Sequence, residues 1–163
     1  MAWLPKALVT VEASQQFKPM NSINCPLCLE PGGILVAQTA AWRVVRVLDA
    51  NFPAFYRLIW QAHVAEFSQL SPAERSDCIE AVNAIERVLI DALQPTKVNL
   101  ASLGNVVPHL HWHVIARFDW DSHFPNPVWG AALRETADAG ASLMLPLDQL
   151  DQRVAAALAI TRP

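Results

Sequence analysis

The stretch NVVPHLHWHVIAR, Asn105 to Arg117, decides how the rest of the chain is read. His109, His111 and His113 alternate with Leu110, Trp112 and Val114, and alternation of polar with bulky apolar side chains is the period of a half-buried strand. Residues two apart on a strand share a face. The spacing therefore predicts a strand over 109–117 with three imidazoles in one row and Leu110, Trp112 and Val114 packed on the other side. A single histidine would be surface decoration, but three in register beside apolar partners are a much rarer arrangement. Two chemistries suit them: neutral imidazoles are good zinc ligands, and an imidazole fixed in one tautomer is a nucleophile toward phosphorus. The loop in front of the row offers a place for an anion. Gly104 permits close backbone approach, Asn105 carries an amide donor, and free N–H groups at 105–107 can cradle a phosphate.

Working outward, KVNLASLG, beginning at Lys97, reads as the preceding strand, and a tight loop from Gly104 to Pro108 makes a hairpin that delivers the histidines. Upstream, Ser71-Pro72-Ala73-Glu74 is a capping box with proline at the first helical position. It predicts a helix running to near Leu93, ahead of Pro95, with Cys78, Val82, Ile85 and Leu89 on one face and Glu80, Asn83, Glu86 and Arg87 largely on the other. Ile34 to Gln38 and Trp42 to Leu48 read as a strand hairpin, although Arg43 and Arg46 break its alternation, and FYRLIW at 55–60 as a third strand. Downstream, FDWDSHFPNPVWG at 118–130 is expected to be a loop pinned by aromatic burial. Pro146 then opens a second helix whose Leu147, Leu150, Val154 and Leu158 share a face.

The order β-β-β-α-β-β with short links predicts an α+β fold, an antiparallel sheet of about five strands with one long helix packed on it and a C-terminal helix. Residues 1–22 show no period and read as an N-terminal extension. Residues 23–130 form the expected catalytic domain, and 131–163 a helical extension packed on it.

Composition narrows the class. With 163 residues, 53% of them apolar, 17% charged and six tryptophans, the chain has the make-up of one folded domain rather than a disordered one. A net charge of −3 gives no attraction to nucleic acid phosphates or anionic lipid, so duplex binding is not expected. MAWLPKALVTVEASQQFKPM has one lysine before a short apolar patch broken by Thr10 and Glu12, which fails the secretory pattern, and no run has membrane-spanning length. The expectation is a cytoplasmic protein away from membranes. Three cysteines, two of them as Cys25-Pro-Leu-Cys28, suit metal or thiol chemistry better than a disulfide framework.

His109-Leu110-His111-Trp112-His113-Val114-Ile115 resembles the signature of the histidine triad family of nucleotide hydrolases and transferases. CPLC at 25–28, LIWQAHV at 58–64, VNLASLGN at 98–105 and PVWG at 127–130 extend the likeness, most closely to the bacterial branch related to diadenosine tetraphosphate hydrolases. The resemblance implies cleavage at the α-phosphate of a nucleoside phosphoramidate or dinucleoside polyphosphate through a covalent nucleotidyl-histidine. In that mechanism His111 attacks phosphorus and His113 hydrogen-bonds the phosphate or leaving group, while a carbonyl on the neighbouring strand fixes the His111 tautomer. It implies substrate contacts from Asn99, Gly104, Asn105 and, at the ribose, Asp49. It further implies a homodimer with no organic cofactor, and a closed structural zinc site made by Cys25, Cys28, His63 and His109, in which His109 is a ligand.

The chain departs from the family pattern at three places. Phe55 stands where a histidine is common, Val106 where a serine is common, and Gln61-Ala62 where Pro-Lys usually precedes His63. The first two motivate a competing class, a nucleotide-binding, zinc-stabilised interaction protein with little turnover. Among the remaining candidates, His123 reads as a surface residue, Cys78 as core, and Trp120 and Trp129 as packing residues on a tail able to reach a partner's active site.

Overall fold

The computed structural model describes residues 24–160; the expected N-terminal extension lies outside them. After a single helical turn, α1 (Pro26–Leu29), come β1 (Ile34–Gln38), β2 (Trp42–Arg46) and β3 (Phe55–Trp60). The long helix α2 (Pro72–Leu93) follows, then β4 (Lys97–Ala101), β5 (His111–Arg117) and α3 (Leu147–Ile160). The strands form one five-stranded sheet in the order β1-β2-β3-β5-β4, antiparallel throughout. This is the α+β arrangement expected. α2 carries the chain from β3 across to the edge strand β4, and β5 returns into the gap between them, so the histidine strand is interior and supported on both sides.

The two faces of the sheet divide the labour. Val44 of β2, Leu58 of β3 and Val114 of β5 point toward α2, where Cys78, Val82, Ile85 and Leu89 meet them in the main core, all at 2% exposure or less. α2 starts as predicted: Ser71 Oγ accepts from the Glu74 N–H and the Glu74 carboxylate accepts from the Ser71 N–H. It ends at Leu93, with Gln94 in the left-handed conformation. Leu150, Val154 and Leu158 of α3 complete the same core.

β2 ends at Arg46, short of Leu48, and the arginines that broke its alternation each have a partner. Arg46 donates to Asp151 of α3 at 3.0 Å, and Tyr56 Oη donates to the same carboxylate at 2.7 Å, so α3 is fixed by charge as well as by apolar burial. Arg43 donates to the Leu27, Glu30 and Pro31 carbonyls and ties the α1 turn to the sheet.

Candidate active site and metal centre

The opposite face of the sheet carries the chemistry. By register His111 lies opposite Ile59 and His113 opposite Arg57, so these side chains leave the sheet together on the side away from α2. His109 is not in the row. β5 begins at His111; the Leu110 carbonyl still accepts from the Trp60 N–H of β3, but the Leu110 N–H donates to the Val64 carbonyl and the His109 N–H to the Val107 carbonyl, which leaves His109 beyond the ladder. The link between β4 and β5 therefore spans residues 102–110, longer than the tight loop expected, because it has to turn His109 toward the first cysteines.

Cys25 is the N-cap of α1, and the Cys28 and Leu29 N–H groups donate back to its carbonyl, folding the two thiols into a knuckle. His109 Nδ1 lies 3.4 Å from each sulfur and 3.2 Å from His63 Nδ1, and His63 Nδ1 lies 3.3 Å from Cys28 Sγ. All four donor atoms fall within 4.8 Å of one another. Zinc bonds of about 2.3 Å to sulfur and 2.05 Å to nitrogen put tetrahedral neighbours about 3.3–3.8 Å apart, so the set has the right size for one ion. The tautomer agrees. His109 Nε2 faces the Trp60 carbonyl at 2.7 Å; a carbonyl only accepts, so Nε2 holds the proton and Nδ1 presents its lone pair to the knuckle. Burial lowers the His109 pKa, which favours the same neutral form.

Two residues further on, the same logic fixes the tautomer of His111. His111 Nδ1 lies 2.6 Å from the His109 carbonyl, so Nδ1 carries the proton and Nε2 the free lone pair. The orienting carbonyl belongs to β5's own approach rather than to the neighbouring strand, as the resemblance had implied. Burial, followed by Arg57 and His109, lowers the His111 pKa. His111 and His113 meet edge to face, with ring centroids 4.8 Å apart, and both line a cleft of about 360 Å³ together with Arg57, Gly104, Asn105 and Trp129.

His113 is the more strongly perturbed of the two. Burial, then the His111 and Arg57 neighbours, push it down to about 3 from 6.5. The unfolded chain takes up a proton near 6.5 that the folded chain refuses until about 3. The neutral ring's contribution to stability is therefore full above 6.5 and is lost as pH falls toward 3. Urea unfolding at pH 7 and pH 5 is expected to show a steeper loss in the wild type than in His113→Gln; equal losses would contradict the assignment.

Fold, donor set and paired histidines converge with the comparisons. The HIT domain family model matches residues 32–120, more than half of the sequence. The chain belongs to the HIT domain family. Histidine triad proteins of Bradyrhizobium japonicum and Sinorhizobium meliloti share its fold at 27% identity, with TM-scores of 0.61 and 0.60; the alignments cover 81% and 82% of this chain and 92% and 93% of theirs. A zinc-bound histidine triad family protein of Mycobacterium smegmatis is 16% identical over 86% of this chain and 96% of its own, with a TM-score of 0.56. No match was found among curated proteins.

Not every expected residue of this HIT domain reaches the cleft. Gly104, in the left-handed region at φ 78°, and Asn105 do. Asn99 does not line it, since its Oδ1 accepts from Arg117 Nη1 at 2.8 Å. Asp49 lies at a separate cleft, where its carboxylate accepts from the Asn51 and Phe52 N–H groups. Phe55 packs its ring 5.3 Å from His113, giving an apolar neighbour where a polar one was lost. Val106 is 92% exposed. Trp129, expected to be a packing residue, is half exposed and sits edge-on to His113 of its own chain at 5.0 Å. His123 is half-buried, beside Ser122 Oγ and Phe52, and Cys78 is core.

The loop that carries Trp129 is held by charge, contrary to the expectation of aromatic burial. Arg117 and Asp121, each 2% exposed, pair at 2.7 Å, and Asp121 also accepts from the N–H groups of Phe118, His123 and Phe124. Only Phe118 and Trp120 stack in the expected manner, 4.6 Å apart. Arg57 was read as part of a strand and nothing more. Its signal was available: it is the only charged residue in FYRLIW, at the parity that faces the histidines.

Proposed function

We propose that this HIT domain protein is a nucleotide hydrolase or nucleotidyl transferase acting at an α-phosphate through a covalent nucleotidyl intermediate on His111 Nε2. The observation that carries the proposal is the 2.6 Å contact from His111 Nδ1 to the His109 carbonyl. It leaves Nε2 unprotonated in a cleft whose other wall is the Gly104–Val107 backbone. In the first step Nε2 attacks phosphorus. The P–N bond forms as the bond to the leaving group breaks, and the leaving group takes the electron pair. The ring then carries a positive charge beside the His109 carbonyl, which favours it. Water attacks the same phosphorus, the P–N bond breaks, and the electron pair returns to Nε2 while the water's proton goes to solvent. His113, neutral and adjacent, orients phosphate oxygens by hydrogen bonding. Incubation with an adenosine phosphoramidate or a diadenosine polyphosphate, followed by rapid quench and intact-mass analysis, is expected to show a nucleotidyl adduct on the peptide that contains His111. A wild type that turns over neither compound would overturn the proposal.

Cys25, Cys28, His63 and His109 would hold zinc as a closed site of two thiolates and two imidazoles, a structural role with no open position for substrate. Zinc there would join the α1 knuckle to the residue whose carbonyl orients His111. Protein prepared without chelator is expected to contain about one zinc per chain. Cys25→Ser should lose the metal and unfold at lower denaturant, with a stability cost of several kcal/mol on the order expected for structural zinc. Metal content unchanged by the substitution would contradict the site. A homodimer and a cytoplasmic location remain part of the same proposal; no helix among the described residues is long and apolar enough to cross a membrane.

A further inference from the structure

Holding a metal does not exhaust the chemistry of Cys25 and Cys28. Cys28 is exposed, whereas Cys25, on the same turn, is at 0% exposure. The Cys28 N–H donates to the Cys25 carbonyl at 2.9 Å. A turn closed in this way brings its first and fourth Cα atoms to under about 7 Å, and a disulfide spans roughly 4.4–6.8 Å between Cα atoms. The two sulfurs lie within 4.8 Å of each other. An exposed thiol with a shielded one beside it is the arrangement in which the first is oxidised and the second resolves it. Cys78 has neither property: it is buried in the main core, and burial pushes its thiol up to about 12.

The α1 turn does not depend on its thiols for its place. Arg43 donates to the Leu27, Glu30 and Pro31 carbonyls, and Leu27 packs with Val45 and Ile59. Joining the sulfurs therefore needs side-chain rotation rather than refolding. What changes is the surroundings of His109, whose Nδ1 lies 3.4 Å from each sulfur. The thiols are half of the four-donor set, and a disulfide has no thiolate to offer, so disulfide and zinc exclude each other. Both ends of this change touch the cleft. The His109 carbonyl orients His111, and Leu27, between the two cysteines, lines the cleft beside Val107.

We propose that Cys25 and Cys28 are a peroxide-reactive dithiol, whose conversion to a disulfide excludes zinc and loosens the residue that orients His111. The Cys28 sulfur attacks one oxygen of hydrogen peroxide. The O–O bond breaks, and the departing oxygen keeps the electron pair and leaves as water with the thiol proton. Cys28 is then a sulfenic acid. The Cys25 sulfur attacks the Cys28 sulfur, the S–O bond breaks, and a second water leaves with the Cys25 proton. The thiol pair loses two electrons and one peroxide gains them. Burial and the neighbouring Cys25 raise the Cys28 thiol, which slows the first step and leaves its product unchanged. The dithiol stands apart from the nucleotidyl-transfer reading; its effect on the cleft rests on that reading.

Wild type, Cys28→Ser and Cys78→Ser, prepared without chelator, are treated with excess hydrogen peroxide, alkylated and mapped by mass spectrometry, and released zinc is followed with a chromogenic dye. Wild type and Cys78→Ser should lose two hydrogens from the peptide that holds Cys25 and Cys28 and release about one zinc per disulfide formed. Cys28→Ser should form no such disulfide. Dithiothreitol with added zinc should restore the starting mass and metal content. The far-UV spectrum of the oxidised protein should match that of the reduced one. Its kcat/KM on adenosine phosphoramidate should fall at least about 10-fold, since displacing a reacting group by an ångström costs up to about 100-fold.

Absence of a disulfide within 25–28, or oxidation that runs instead to irreversible sulfonic acid, would overturn the dithiol. Zinc retained after the disulfide forms would overturn the exclusion, and undiminished turnover would overturn the link to the cleft. If the wild type turns over nothing before oxidation, the nucleotidyl-transfer reading fails, and the mass map still decides the dithiol.

Discussion

His111→Ala is expected to lower kcat/KM by about 10⁴-fold or more, as removal of the nucleophile does in other covalent catalysts, while leaving zinc content and fold intact. A 10⁴-fold loss corresponds to about 5.4 kcal/mol of barrier. The structural consequence of the same substitution is smaller. One hydrogen bond to the His109 carbonyl disappears from a residue that is 8% exposed, a cost of about 1–2 kcal/mol. His109 keeps its own contacts to the Trp60 carbonyl and the thiols. The separation of these magnitudes is what makes the substitution informative: lost activity with normal zinc content and a transition midpoint close to wild type identifies chemistry. Activity within 10-fold of wild type would mean that His111 is not the nucleophile.

A large stability effect is expected at Asp121. Asp121→Ala strips the counter-ion from an arginine that is 2% exposed and removes the acceptor for three backbone N–H groups. Breaking a buried ion pair from one side costs about 3–5 kcal/mol, because the remaining charge stays buried without compensation. Replacing both partners, as in Arg117→Met with Asp121→Leu, is expected to recover much of that loss, although the three N–H groups would still lack an acceptor. Burial by itself would raise the Asp121 pKa; hydrogen bonds from Arg117 and from the His123 and Phe118 N–H groups outweigh it and hold the carboxyl below its usual value. Its contribution is therefore present above the unfolded-state pKa and is lost as pH falls through the lower folded value. Equilibrium urea unfolding measures both effects, and a loss below about 1 kcal/mol in Asp121→Ala would show that the pair does not hold the loop. Because the loop carries Trp129 onto His113, kcat/KM should fall in the same variant before global unfolding.

What could be read from the sequence was local. The capping box at Ser71, the spacing of Cys78, Val82, Ile85 and Leu89, and the alternation through His111 and His113 each depend on residues within a turn or two, and the structure has them where expected. His109 was harder. Its alternation with His111 is perfect, yet it leaves the strand because the Trp60 carbonyl, His63 and the knuckle thiols lie where a non-strand conformation can reach them. Those partners come from distant parts of the chain. Asn99 and Asp49 do not reach the cleft because other donors take their oxygens: the buried Arg117, distant in sequence, takes that of Asn99, and the Asn51 and Phe52 N–H groups take the Asp49 carboxylate in a local turn. The 118–130 segment was misjudged because its aromatics are conspicuous in sequence, whereas the Arg117–Asp121 pair is an ordinary i, i+4 spacing until burial gives it weight. Arg57 was within reach, since strand parity alone puts it beside the histidines.

The covalent step is tested most directly by stereochemistry at phosphorus. A substrate made chiral at the α-phosphorus by sulfur substitution is hydrolysed in ¹⁸O-water and the product configuration is determined. Attack by His111 Nε2 followed by attack of water inverts the centre twice, so net retention is the predicted result. Net inversion would mean that water attacks directly and no nucleotidyl-histidine lies on the path.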